Sequence, residues 1–210
     1  MRVICVSNDS EMFIFPELTG SRGIRPRDHG PYVKALEGLR SDIPGCIGND
    51  DRDISLDEYR MPIGKTLGGR FTEVRRLNES IVGSRLAIVS GRHGLIDSET
   101  RVLPYSCAVE SKREAANLDD RTGFVESLME IHQISDMVLV FLPRAHTEVL
   151  IERWHGEMED MLFVTSHSLF PELFRRGATV LSRRGARVGR HNIGPIMEEI
   201  KRRDGADAGI

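Results

Sequence analysis

Residues 137–142 read Met-Val-Leu-Val-Phe-Leu, an apolar run that no polar residue interrupts. A strand with one wet face would alternate. An unbroken run of this kind suits a strand covered on both faces, as in a parallel sheet. Four more runs share the character: Val3–Val6, Leu86–Val89, Met161–Thr165 and Thr179–Leu181. Helical patterns lie between them. Pro31 opens one to Arg40, with Val33, Leu36 and Leu39 apolar. Arg70 to Asn78 puts Phe71, Val74 and Leu77 on one face, and Gly123 to Gln133 does the same with Phe124, Leu128 and Ile131. Thr147 is placed to cap Glu148 to Trp154. Pro171 opens a short helix to Arg176, and Pro195 opens the last one, to Arg203. Strands alternating with helices predict an α/β fold: a mostly parallel central sheet of about five strands with helices on both faces.

A length of 210 residues fits one such domain. It is expected over residues 1–203, with residues 204–210 a frayed tail. Residues 41–64 break the rhythm. Asp, Gly and Pro dominate there, so the segment reads as a long acidic loop or lid.

The charge is unevenly spread. Nine Lys or Arg face two Asp or Glu between Arg175 and Arg203, while the chain as a whole carries −3. Residues 42–58 hold Asp42, Asp50, Asp51, Asp53, Asp57 and Glu58. Solvated surface explains both segments; so does homo-oligomer formation, or a basic patch for a polyanion. Cys5, Cys46 and Cys107 are far apart in sequence and form no CxxC pair, which predicts a reduced, cytoplasmic chain. No apolar segment approaches the roughly 20 residues that span a bilayer, so no membrane partner is expected.

No cofactor or metal fingerprint is present. Gly64-Lys65-Thr66 resembles the end of a phosphate loop, but Tyr59 stands where its first glycine belongs. Gly185 to Gly189 lacks a dinucleotide fingerprint, and Ser90 and Ser166 sit in no nucleophile elbow. His146 and His155 are not at helical metal-ligand spacing.

The informative residues follow the strands. In a parallel sheet all carboxyl ends share one edge, and ligands bind in the crevice beyond it. Ser7, Asn8, Asp9 and Ser10 follow the first run, and Ser90-Gly91-Arg92-His93-Gly94 the second. Pro143, Arg144 and His146 follow the third; Ser166, His167 and Ser168 the fourth; Ser182, Arg183 and Arg184 the fifth. These groups suit a phosphate or a planar polar base. Gly91 and Gly94 let the backbone turn and expose its N–H groups, aiming Arg92 and His93 into the crevice. A tight turn with surface charges is the alternative. Asp9 is the carboxylate nearest the first exit, a general base or equally a turn-forming residue. Tyr105 either stacks on a base or anchors its loop.

Ser90-Gly91-Arg92-His93-Gly94-Leu95-Ile96, followed by Leu103-Pro104-Tyr105, resembles the peroxide-stress proteins of the YaaA type and the C-terminal domain of archaeosine synthase. Val140-Phe141-Leu142-Pro143 and Gly185-Ala186-Arg187 are similar too. The likeness covers residues 1–7, 85–110 and 136–190. Members carry Ser-Cys-Ser/Ala-x-Lys after the first strand, whereas this chain has Ser7-Asn8-Asp9-Ser10 and no lysine there. The resemblance implies a fold similar to uracil-DNA glycosylases and partners that are nucleobases, nucleotides or nucleic acids. It implies N-glycosidic cleavage or base exchange, with Asp9 steering water and His93 and His167 offsetting charge on the departing base. Ser7, Asn8, Ser90, Gly91, Arg92, Gly94, Tyr105, Arg144, Ser166 and Arg183 would contact substrate. The non-enzymatic alternative is a nucleic-acid binder or a nucleotide sensor.

Overall fold

A computed structural model describes residues 1–9, 46–47, 61–67, 71–102, 106–107, 109–184 and 188–207. Its centre is a six-stranded sheet. In chain order the strands of that sheet are β1 (Val3–Asn8), β4 (Arg85–Ser90), β5 (Gly94–Asp97), β8 (Met137–Phe141), β9 (Met161–Thr165) and β10 (Thr179–Ser182). Two short antiparallel ladders join β2 (Cys46–Ile47) to β7 (Ser106–Cys107) and β3 (Met61–Pro62) to β6 (Arg101–Val102). The described helices are α1 (Ile63–Thr66), α2 (Phe71–Ser80), α3 (Lys112–Thr122), α4 (Phe124–Gln133), α5 (Arg144–Arg153), α6 (Phe170–Arg175) and α7 (Arg190–Asp207). The expected helix from Pro31 and most of the 41–64 segment lie outside the described residues.

The sheet order is β10-β9-β8-β1-β4-β5. β1 pairs in parallel with β4 and β8, β8 with β9, and β9 with β10; β5 returns antiparallel to β4. The five expected strands are therefore the parallel ones, and β5 is an addition. The chain builds outward from β1 to β4, then crosses to β8 on the other side. This reversal makes the carboxyl ends of β1 and β8 the topological switch point, the place where doubly wound sheets bind ligands.

Burial explains the unbroken apolar runs. Ile4, Val6, Val89, Val138, Val140 and Phe163 point into a core shared with α3, α4, α5 and α6. The alternate residues Cys5, Ile88, Leu139, Phe141 and Val164 join α2 and α7 on the other face. Every residue of β1, β8 and β9 is buried. Burial also pushes the Cys5 thiol up to about 12, which removes it as a nucleophile near neutral pH.

Local chemistry sets the helix ends. Ser111 and Glu114 form a reciprocal cap at the start of α3: Ser111 N–H donates to Glu114 Oε2 at 3.0 Å, and Glu114 N–H to Ser111 Oγ at 3.3 Å. Gly123, at φ 62°, ends α3 and starts α4. Thr147 is not a cap. It lies inside α5, and its hydroxyl donates back to the Pro143 carbonyl at 3.0 Å. Pro195 opens nothing: α7 starts five residues earlier, and Pro195 sits inside it. Asn192 fixes that start. Its Oδ1 accepts from Gly189 N–H at 3.1 Å and its Nδ2 donates to the Ser182 carbonyl at 3.1 Å. The helix also runs on to Asp207, past the expected end at Arg203.

Candidate functional site

The strand registers fix the height of each exit. Asn8 is level with Val89, Ser7 with Phe141, and Ser182 with Thr165. The residues following each parallel strand thus stand at one rim. Two clusters form there.

The first joins β1 to β4. Asp9 N–H donates to the Val89 carbonyl at 3.0 Å, continuing the ladder past the strand end. One oxygen of the Asp9 carboxylate accepts the Gly91 N–H at 2.8 Å. Ser90 Oγ accepts the N–H groups of Arg92, at 3.1 Å, and His93, at 2.9 Å. The Arg121 guanidinium donates to the Gly91 carbonyl at 3.4 Å. The stretch 91–93 is the three-residue loop of the β4–β5 hairpin, with Ser90 opposite Gly94. Gly94 has φ 74°, the left-handed residue such a loop needs. A Cβ on it would sit 2.6 Å from the Thr122 side chain. This corrects one expectation: the N–H groups of the turn are not exposed for a phosphate, because Asp9 and Ser90 take them. Arg92 and His93 are half-buried and held by this loop.

Asn8 ends β1 at the switch point. Strand alternation puts it on the face of Ile4 and Val6. It is 9% exposed. Among the described residues its Oδ1 is a buried acceptor with no hydrogen-bond partner. Ser7, beside it, is fully buried, and its hydroxyl donates to the Asn8 carbonyl at 3.4 Å.

The second cluster joins β9, β10 and α7. His167 is exposed; its Nε2 lies 2.9 Å from Ser182 Oγ, and its ring packs on Phe170 at 4.7 Å. Ser166 Oγ lies 3.0 Å from Ser168 Oγ. His191 Nε2 approaches the Ser182 carbonyl at 3.3 Å. Arg183 N–H donates to the Thr165 carbonyl at 2.8 Å, while its guanidinium reaches over β9 to the Leu142 carbonyl at 3.4 Å. Arg183 thereby links this cluster to the β8 edge of the crevice. Strand spacing puts β9 about 10 Å from β1, so Asp9 and His167 follow strands on either side of β8. Arg144 is drawn along its own helix, its Nε 2.6 Å from Glu148 Oε1. Tyr105 lies outside the described residues.

Sequence reading alone missed His191, Asn192 and Arg121. The first two gave no signal, because Gly189-Arg190-His191-Asn192 is not the Ser/Thr-x-x-Glu/Gln pattern that marks a helix start. Arg121 gave no signal, because its partner is the backbone of a distant turn.

The basic stretch is divided by pairing. Glu172 binds Arg175 and Arg176, Glu199 binds Arg202 and Arg203, and Asp160 binds Arg203. Among the described residues Arg184 and Arg190 form no ion pair, and both are exposed beside the second cluster. A cavity of 660 Å³ lies at the other end of the sheet, lined by Arg85, Asp97 and Thr100 among others. Its Arg85 and Asp97 pair with each other at 2.6 Å, and Glu99 also lines it. No group of three metal-ligating side chains comes together among the described residues. No helix among them is long and apolar enough to cross a membrane.

Fold and rim together define an α/β protein with a mostly parallel, doubly wound sheet and a polar carboxyl edge. No family model, curated protein or solved structure matches the chain.

Proposed function

We propose that the chain binds a nucleobase or nucleotide in the crevice between β1 and β8, and that Asp9 and His167 act on its N-glycosidic bond. The observation that carries this reading is Asn8. A buried amide oxygen without a partner costs about 1–3 kcal/mol, and such a cost is retained where a ligand supplies the missing donor. A base edge carries N–H donors of that kind. Arg183 and His167 beyond β8 supply positive charge or hydrogen bonds for a phosphate or a departing base.

In this reading Gly91 N–H holds the Asp9 carboxylate at the crevice mouth. Asp9 takes a proton from water as the water oxygen bonds to the anomeric carbon. The C–N bond breaks, its electron pair leaves with the base, and His167, with His93, stabilises that charge. The same reading takes the sheet as similar to that of uracil-DNA glycosylases.

A thermal-shift screen of nucleotides and free bases tests the binding. A ligand at a hundredfold excess over Kd stabilises by about 2.7 kcal/mol, a rise of about 5–10 °C for a chain of this size. With that ligand as the nucleoside moiety, Asp9→Asn and His167→Ala abolish base release while the fold survives. Full release by both variants refutes the chemistry, and a flat screen refutes the binding.

A further inference from the structure

From the rim at the end of β9, α6 leads back towards the amino edge of the sheet, and a row of rings runs along it. His167 packs on Phe170 with ring centres 4.7 Å apart, and Phe170 meets Phe174 edge-on at 5.8 Å. Phe174, at the outer end, is 57% exposed. A lone exposed phenylalanine means little. Here the ring terminates a contiguous row that begins at the candidate site.

Cations flank the rim end of the row. Neither Met161 to Pro171 nor Leu181 to Met197 contains an Asp or Glu, whereas the second stretch holds Arg183, Arg184, Arg187 and Arg190. Glu172, the one acid on α6, is occupied by Arg175 and Arg176. His167 and His191 converge on Ser182, tying the aromatic row to the segment that carries Arg184 and Arg190.

We propose that this strip is the landing surface for a single-stranded nucleic acid, one nucleotide of which enters the crevice. The inference rests on the nucleotide reading of the rim and names its substrate class: a polymer with unpaired bases. Aromatic faces beside arginines match the two repeating features of such a strand, base planes and phosphates. A duplex keeps its bases stacked internally and offers the rings nothing. The row extends outward from the rim, so a mononucleotide in the crevice would leave Phe174 uncovered.

The test is fluorescence anisotropy with labelled oligo(dT) and oligo(rU), a short DNA duplex as competitor, and UMP and dTMP in parallel thermal shifts. One of the single strands should bind more tightly than its mononucleotide, with the duplex competing weakly. Phe174→Ala should weaken the strand about tenfold and leave the mononucleotide shift unchanged. Arg184→Ala with Arg190→Ala should flatten the salt dependence, by about 0.7 in log–log slope for each phosphate that an arginine no longer neutralises. Circular dichroism checks the fold of each variant; both sites are exposed.

A mononucleotide shift with no gain from the strand overturns this proposal and leaves the rim reading standing. Strand binding that needs Phe174 but ignores Asn8→Leu supports the strip and removes the crevice. No binding by any probe overturns both. Self-association that Phe174→Ala abolishes, without strand binding, assigns the row to a second copy of this chain and also overturns the proposal.

Discussion

Replacing Asn8 by leucine separates a structural residue from a binding one. The two side chains are similar in size, and Asn8 lies on the face that packs Ile4 and Val6 against the helices. In the folded chain its Oδ1 is desolvated, with no hydrogen-bond partner among the described residues. That state costs about 1–3 kcal/mol. Leucine relieves the penalty and adds apolar burial, opposed by the strain of a branched side chain in a packed site. The expected net effect of Asn8→Leu is stabilisation by about 1 kcal/mol, a rise in Tm of about 2–4 °C for a chain of this length. Urea unfolding at equilibrium measures the free energy, and an unchanged m-value confirms that the denatured state is the same. Any ligand that stabilises the natural protein should lose its effect on Asn8→Leu. A trade of function for stability of this kind marks a binding residue. Ligand stabilisation that persists in Asn8→Leu would collapse the case for the crevice, whereas destabilisation alone can come from the strain of the branched side chain.

Two further outcomes concern the scaffold. Gly94→Ala forces a Cβ into the left-handed region at φ 74° and to within 2.6 Å of Thr122. It should cost about 2 kcal/mol or more and loosen Arg92 and His93; unchanged stability in urea would refute the account of the turn. Glu199 is held down to about 2, first by the Arg202 guanidinium and then by that of Arg203. A depressed carboxyl stabilises the fold above its ordinary value near 4.5, and the contribution drains as pH falls through about 2. Arg202 is 67% exposed, so solvent screening leaves about 1 kcal/mol. Glu199→Gln should show that deficit near neutral pH and approach parity with the natural chain towards pH 2; a pH-independent difference would contradict the pairing.

The parallel strands were legible because residues buried on both faces cannot alternate, and the run 137–142 states this directly. β5 was not. Its four residues, Gly94 to Asp97, are too few and too mixed to show a period, and only the three-residue loop before it hints at a hairpin. α3 escaped because charge dominates it: among its apolar residues only Ala115 and Leu118 are buried. Its one signal, the cap formed by Ser111 and Glu114, had no apolar face to support it and went unread. Thr147 and Pro195 misled for a shared reason. Each prefers a helix start, and in each case packing against the sheet extended the helix past that preference. The register also sets Cys46 opposite Cys107, a neighbourhood that their distance in sequence concealed.

For the site, the sequence by itself determined which polar residues leave the strands. It did so because exits follow directly from where apolar runs stop. Tertiary structure alone decided what those residues are free to do. The Asp9 carboxylate meets Gly91, 82 positions away, and Arg183 reaches Leu142, 41 positions away. Such bonds depend on strand order and register, which no local pattern encodes. They turned the glycine turn from an open anion cradle into a closed hairpin loop, and left the Asn8 Oδ1 buried without a hydrogen-bond partner among the described residues.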